Sequence, residues 1–183
     1  MDEDSIDYDS NIKRYKICLV GEQRVGKTNI ISQFVNKIFE EDYHETIGVD
    51  YNKATISLDD KTIVNLVIWD TSGMEKYRAI TKVFLKESKA VILVYDITRK
   101  KTFDELKNYW IHHVREVTDK NKILFIVANK YELTENEVNE EDVLKFADKI
   151  NAIFLHTSAK RGMGINELFC QIVRKIIEKE RKL

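Results

Sequence analysis

Residues 21–28 read Gly-Glu-Gln-Arg-Val-Gly-Lys-Thr, and no other stretch constrains the chain as tightly. The spacing fits G-x-x-x-x-G-K-[ST], and its context fits too. A short apolar run at residues 15–20 predicts a strand before it, and residues 27–36 predict a helix after it. Glycines let a backbone come close to an anion and turn its N–H groups inward. The helix N-terminus adds positive potential. Lys27 suits a point charge on β- and γ-phosphates, and Thr28 offers a hydroxyl to Mg²⁺. With glycine at about 7% of residues, a chance match in a chain of this length is below about 1%. The segment therefore predicts a nucleoside triphosphate cradle, without choosing between a GTPase, an ATPase and a kinase.

The rest of the chain predicts what surrounds that cradle. Runs at 54–58 and 63–69 flank Asp59-Asp60-Lys61 and predict a hairpin, while 37–50 reads as a long polar loop. Continuous apolar runs at 90–95 and 123–128, with a shorter one at 153–155, predict strands covered on both faces, as in a parallel sheet. Helical stripes separate them: Phe103, Leu106, Trp110, Val114 and Val117; then Val143, Phe146, Ala147 and Ile150; then Ile165, Leu168, Phe169, Ile172 and Ile176. Thr102 with Glu105 has the pattern of a capping box at the start of the first stripe. Alternating strands and helices predict an α/β fold with a mostly parallel sheet and one antiparallel edge strand. Residues 1–12 are acidic and aperiodic and are expected to be a disordered arm, leaving 13–183 as one domain.

Composition narrows the function classes. A net charge of −1 provides no global field for nucleic acid, and no nucleic-acid partner is expected. The two cysteines, Cys18 and Cys170, sit in apolar patterns and suggest core positions in a reducing compartment. No apolar stretch has transmembrane length and no secretory signal opens the chain, so a cytoplasmic location is expected. The four histidines (His44, His112, His113 and His156) have no metal-ligand spacing and are assigned no chemistry. The basic end, with Arg174, Lys175, Lys179, Arg181 and Lys182, reads mainly as a solvated helix terminus.

A second functional signal follows the hairpin. The apolar run 63–69 leads into Asp70-Thr71-Ser72-Gly73, and a strand-end aspartate downstream of a phosphate loop suits water-mediated Mg²⁺ binding. Trp69-Asp70-Thr71-Ser72-Gly73 resembles the W-D-T-A-G segment of Ras-superfamily small GTPases. Tyr43-His44-Glu45-Thr46-Ile47-Gly48-Val49-Asp50-Tyr51 resembles the Rab switch I, and Val94-Tyr95-Asp96-Ile97-Thr98 the Rab VYDIT strand end. Asn129-Lys130-Tyr131-Glu132 stands where the family has N-K-x-D, and Thr157-Ser158-Ala159-Lys160 matches its T-S-A-K loop. The chain is thus identified as resembling a Rab-like small GTPase from about Arg14 to Glu178.

The resemblance implies a P-loop G domain: a six-stranded mostly parallel sheet with one antiparallel strand and helices on both faces. It implies GTP/GDP and Mg²⁺ as ligands and vesicle trafficking as the task, on the cytosolic face of endomembranes. Arg24, Val25, Gly26, Lys27, Thr28 and Asn29 are expected around the phosphates, with Thr46 and Gly73, and Gly21, Gln23 and Tyr43 are expected among the nucleotide-binding residues. Phe39, Asn129, Lys130, Glu132, Ser158, Ala159 and Lys160 are expected around the base. Thr28, Thr46 and Asp70 are the expected metal residues, and Lys27, Thr46 and Gly73 the expected transition-state contacts. Effectors are expected at switch I (Ile47, Gly48, Val49, Asp50 and Tyr51) and switch II (Met74 to Thr81), with an exchange factor and a GTPase-activating protein as further partners.

Three positions depart from the pattern. Met74 replaces the glutamine that orients the attacking water, and a thioether has no N–H to donate. Slow intrinsic hydrolysis is therefore expected, and no catalytic residue is assigned with it. Gln23 and Arg24 bring bulk to loop positions usually filled by small residues. Glu132 replaces an aspartate, lengthening the carboxylate arm that receives the base, so weaker or less selective guanine binding is expected. No C-a-a-X motif ends the sequence, so membrane attachment is expected only through a lipidated tail beyond it. The alternative is a hydrolysis-deficient scaffold, one G domain of a longer protein.

Overall fold

The structure is a computed structural model that describes residues 12–58, 61–119 and 121–182. Nearly all of the expected acidic arm, and Asp59 and Asp60 of the hairpin turn, lie outside those residues.

Six strands form one sheet: β1 (Lys13–Val20), β2 (Val49–Ser57), β3 (Ile63–Thr71), β4 (Ala90–Asp96), β5 (Ile123–Asn129) and β6 (Ala152–His156). Their order is β2-β3-β1-β4-β5-β6, and only the β2–β3 pair is antiparallel. The helices are α1 (Lys27–Asn36), α2 (Arg78–Lys86), α3 (Lys100–Glu105), α4 (Ile111–Val117), α5 (Glu140–Ile150) and α6 (Ile165–Glu180). A single turn of 3₁₀ helix, Glu75–Tyr77, leads into α2.

Strand alternation divides the core in two, because successive side chains point to opposite faces. Ile17 and Leu19 of β1, Ala90, Ile92 and Val94 of β4, and Phe125 and Val127 of β5 pack with α1 and α6. Cys18 and Val20, Val91, Leu93 and Tyr95, and Leu124, Ile126 and Ala128 pack with α2, α3, α4 and α5. Every residue of β4 is buried, which explains why its sequence runs apolar without alternation. Cys18 belongs to this core, while Cys170 packs half-buried against the other layer.

The structure corrects the sequence reading at several boundaries. β2 begins at Val49, inside the expected loop, because pairing with β3 runs from Val49↔Thr71 to Ser57↔Ile63. β3 itself extends through Asp70 and Thr71. The capping box at Thr102 and Glu105 does not form. α3 starts at Lys100 with Arg99 as its N-cap, and the Thr102 hydroxyl instead accepts from the Asp96 N–H (3.0 Å) and donates to the Arg99 carbonyl (2.7 Å). α3 and α4 also form one continuous rod through a π turn, Leu106–Trp110.

The parallel strands β1, β3, β4, β5 and β6 all end at the same edge of the sheet. The order reverses at β1, which lies between β3 and β4. Open α/β sheets place ligands in the crevice at such a switch point.

Candidate functional site

A cleft of about 470 Å³ occupies that edge. The phosphate loop is its floor. Gly26, at φ 94, caps α1, and no side chain caps the helix, so its N-terminus is left to a ligand. Gly26 also has no room for a side chain, since a Cβ would lie 2.4 Å from Asn129 Nδ2. Gly73 is equally constrained, because a Cβ there would lie 2.2 Å from the Gln23 nitrogen. Close approach, rather than turn geometry, requires this glycine, and it brings the end of β3 against the phosphate loop.

Lys27 is buried, and its ammonium donates to the carbonyls of Gly21 (2.8 Å) and Glu22 (3.0 Å). Burial pulls its pKa down to about 8, against the raising influence of Asp70 and Glu22. An anion in the cleft would supply the missing countercharge. Thr28 donates to Asp70 Oδ2 at 2.6 Å, and its hydroxyl lies 3.1 Å from that of Thr46. Asp70 is 3% exposed, its Oδ1 has no hydrogen-bond partner, and burial raises its carboxyl pKa. An orphaned carboxylate oxygen beside two hydroxyls fits a divalent cation. Mg²⁺ in particular is usually held by one or two carboxylates together with substrate phosphates and waters. Among the described residues, no group of three or more His, Cys, Asp or Glu could hold a metal.

At the opposite end, Asn129 is locked into the frame. Its Nδ2 donates to the Val25 carbonyl (2.8 Å), and its Oδ1 accepts from the Thr157 hydroxyl (3.0 Å) and the Ala159 N–H (3.3 Å). Lys130, at φ 67, pairs with Asp96 at 2.6 Å. Burial raises the Asp96 carboxyl, but bonds from Lys130 and Thr98 outweigh it and hold the group below its ordinary value. Glu132 lines the cleft, and its Oε2 is buried with no partner. That leaves an anionic acceptor suited to a base presenting N–H groups. Phe39, Ala159 and Lys160 complete this end.

Most of the expected site residues therefore converge. Gln23, Arg24, Gly26, Lys27, Thr28, Asn29, Phe39, Tyr43, Thr46, Gly73, Asn129, Lys130, Glu132, Ala159 and Lys160 line the cleft. Gly21, Val25, Asp70 and Ser158 are buried and do not line it; Ser158 Oγ accepts from the Arg161 N–H at 3.0 Å. Met74 does not line it either.

Sequence reasoning missed Glu40, Glu41, Asp42, His44 and Ser72, which also line the cleft. It missed Arg99, which holds the Gln23 carbonyl (2.9 Å) and Asp96 (3.1 Å). It also missed the role of Glu22, whose carboxylate accepts from Arg78 and from the Trp110 indole, both at 3.1 Å, tying the phosphate loop to the segment that opens α2. The two expected switch segments are exposed at Ile47, Tyr51 and Ile80, and rings of Tyr51, Trp69 and Phe84 pack in a row between them.

Comparison with known proteins places the sequence in a family. The Ras family sequence profile matches residues 16–178. Ras-related protein Rab-22A of Mus musculus is 39% identical over 166 residues, covering 90% of this chain and 84% of its own. Ras-related protein RABA1h of Arabidopsis thaliana is 37% identical over 175 residues, covering 95% of this chain and 77% of its own. Ras-related protein Rab11B of Nicotiana tabacum has the same identity and coverage.

Proposed function

Because the chain belongs to the Ras family, as a Rab-like small GTPase, we propose that it is a GTP/GDP switch with Mg²⁺-dependent, slow intrinsic hydrolysis that acts in vesicle traffic at the cytosolic face of endomembranes. The observation that carries this reading is the convergence of Lys27, Thr28 and Thr46 in one cleft at the open N-terminus of α1, with the buried Asp70, bonded to Thr28 and left with an unpartnered Oδ1, directly behind them.

In this reading, Lys27 moves from the loop carbonyls to the β- and γ-phosphates, and the N–H groups of the loop wrap the same oxygens. Thr28, Thr46 and Asp70 would hold Mg²⁺, which when bound neutralises charge on the phosphate oxygens. Thr46 and Gly73 are the switch contacts. Each begins a segment, 47–51 or 74–81, that is ordered by the γ-phosphate and released after hydrolysis. Effectors, an exchange factor and a GTPase-activating protein would read those segments. Among the described residues, no helix is long and apolar enough to cross a membrane.

Met74 limits the chemistry, because its thioether side chain has no N–H to position water. The same substitution favours a second reading, a hydrolysis-deficient module held in the GTP state. Single-turnover hydrolysis of the wild type and Met74→Gln tests the catalytic claim. The expected wild-type rate lies below about 10⁻⁴ per second, the scale of intrinsic hydrolysis with a glutamine present, and Met74→Gln is expected to raise it. Equal rates in the two proteins would show that Met74 does not limit turnover.

A further inference from the structure

We propose that Arg24 and Tyr43 form a clasp across the phosphate end of the cleft that slows nucleotide release; this rests on reading the cleft as a GTP/GDP site. The guanidinium carbon of Arg24 lies 4.6 Å from the centroid of the Tyr43 ring. That is inside the roughly 6 Å range of a cation–π contact. Both residues are exposed and both line the cleft.

Arg24 has φ 63, in the left-handed region, where an L side chain is strained. A residue held in this conformation at a ligand cleft is a candidate for function. Its place in the phosphate loop puts a fixed cation beside the expected polyanion, and its planar head can stack on a ring while its edge keeps donors free.

Tyr43 belongs to the segment that covers the cleft between α1 and β2. Near one end, Asn29 and Glu40 exchange two hydrogen bonds (3.0 and 3.1 Å), and Glu41 pairs with Lys160 at 2.6 Å. At the other, Thr46 meets Thr28. Between these anchors, Tyr43 rests on Arg24. The segment also brings Glu40, Glu41 and Asp42 to the cleft wall, carboxylates that repel a polyphosphate. Lys160 compensates Glu41 at the base end, and Arg24 supplies the compensating charge at the phosphate end. The clasp therefore acts through position and charge. Opening it frees the covering segment and removes a cation from the phosphates in one movement.

The test is release of a fluorescent GDP analogue from the full chain with Mg²⁺, chased with unlabelled GDP. Arg24→Ala and Tyr43→Ala are each expected to speed release by about three- to thirtyfold, the range of a cation–π contact from exposed to desolvated. The double variant should be no faster than the faster single one, because both remove the same contact. Tyr43→Phe keeps the ring and should release more slowly than Tyr43→Ala, and Arg24→Lys should fall between wild type and Arg24→Ala. Wild-type release rates in both alanine variants, or effects that multiply fully in the double variant, would overturn the clasp while leaving the nucleotide site intact. A wild-type chain that retains no guanine nucleotide would overturn both.

Discussion

Asn129→Ala should destabilise the nucleotide-free domain by an amount the hydrogen bonds allow one to estimate. The side chain is 1% exposed and makes three internal contacts, with the Val25 carbonyl, the Thr157 hydroxyl and the Ala159 N–H. An asparagine amide has two donors and two acceptor lone pairs, so one N–H is left for a ligand. Removing the amide strands three buried groups at about 1–3 kcal/mol each, and partial recovery through hydroxyl rotation brings the total to about 3–5 kcal/mol. Asn129→Asp keeps both acceptor contacts and loses only the donation to Val25, but it also buries an added negative charge, so it too is destabilising. Urea unfolding of nucleotide-free protein, with equal slopes for all variants, measures the difference directly. A loss below about 1 kcal/mol in the alanine variant would refute the assignment of Asn129 as a tie between the phosphate loop and the ends of β5 and β6, since even one stranded buried group should cost that much.

Two other outcomes follow from the cleft. Glu132→Ala should weaken GDP binding by about ten- to a hundredfold in competition titrations, the worth of one charge-assisted bond, and leave ATP binding unchanged; GDP affinity within about twofold of wild type would remove Glu132 from base recognition. Lys27 gives a pH dependence: in the nucleotide-free chain its pKa lies at about 8, below that of an unfolded lysine. Folding therefore releases a proton between about pH 8 and pH 10, so nucleotide-free stability should rise with pH across that window. Nucleotide binding needs the ammonium and should take up a proton there, weakening about tenfold between pH 7 and pH 9, with heats that depend on the buffer's ionisation enthalpy. Affinity that stays flat over that range would contradict the burial of Lys27 as a cation whose desolvation outweighs Asp70 and Glu22.

Much of the fold was legible because its information is local. The phosphate loop has fixed spacing, and strands β4 and β5 are continuous apolar runs because both faces are covered. Thr28, Thr46 and Asp70, the residues expected to hold a metal, come from separate motifs, and the fold brings their side chains together. What failed depends on partners distant in sequence. The extension of β2 to Val49 is set by its register with β3. The Thr-x-x-Glu pattern at 102–105 misled because Thr102 is recruited by Asp96 and Arg99, one turn inside the helix. The π turn has no side-chain signature in the stripe that contains it. Glu22 was given no role of its own in the sequence, yet it joins Arg78 and Trp110 across 56 and 88 residues. Arg24 and Tyr43 were each named for the nucleotide, but their contact with each other was invisible in the motif.

The most direct test of the central claim is to denature the purified chain, identify the nucleotide it releases, and follow one turnover of added GTP with Mg²⁺. A switch of the kind proposed should release guanine nucleotide in near-stoichiometric amount and hydrolyse GTP slowly in a Mg²⁺-dependent manner. Recovery of adenine nucleotide alongside guanine, or of no nucleotide with no measurable GTP binding, would contradict it.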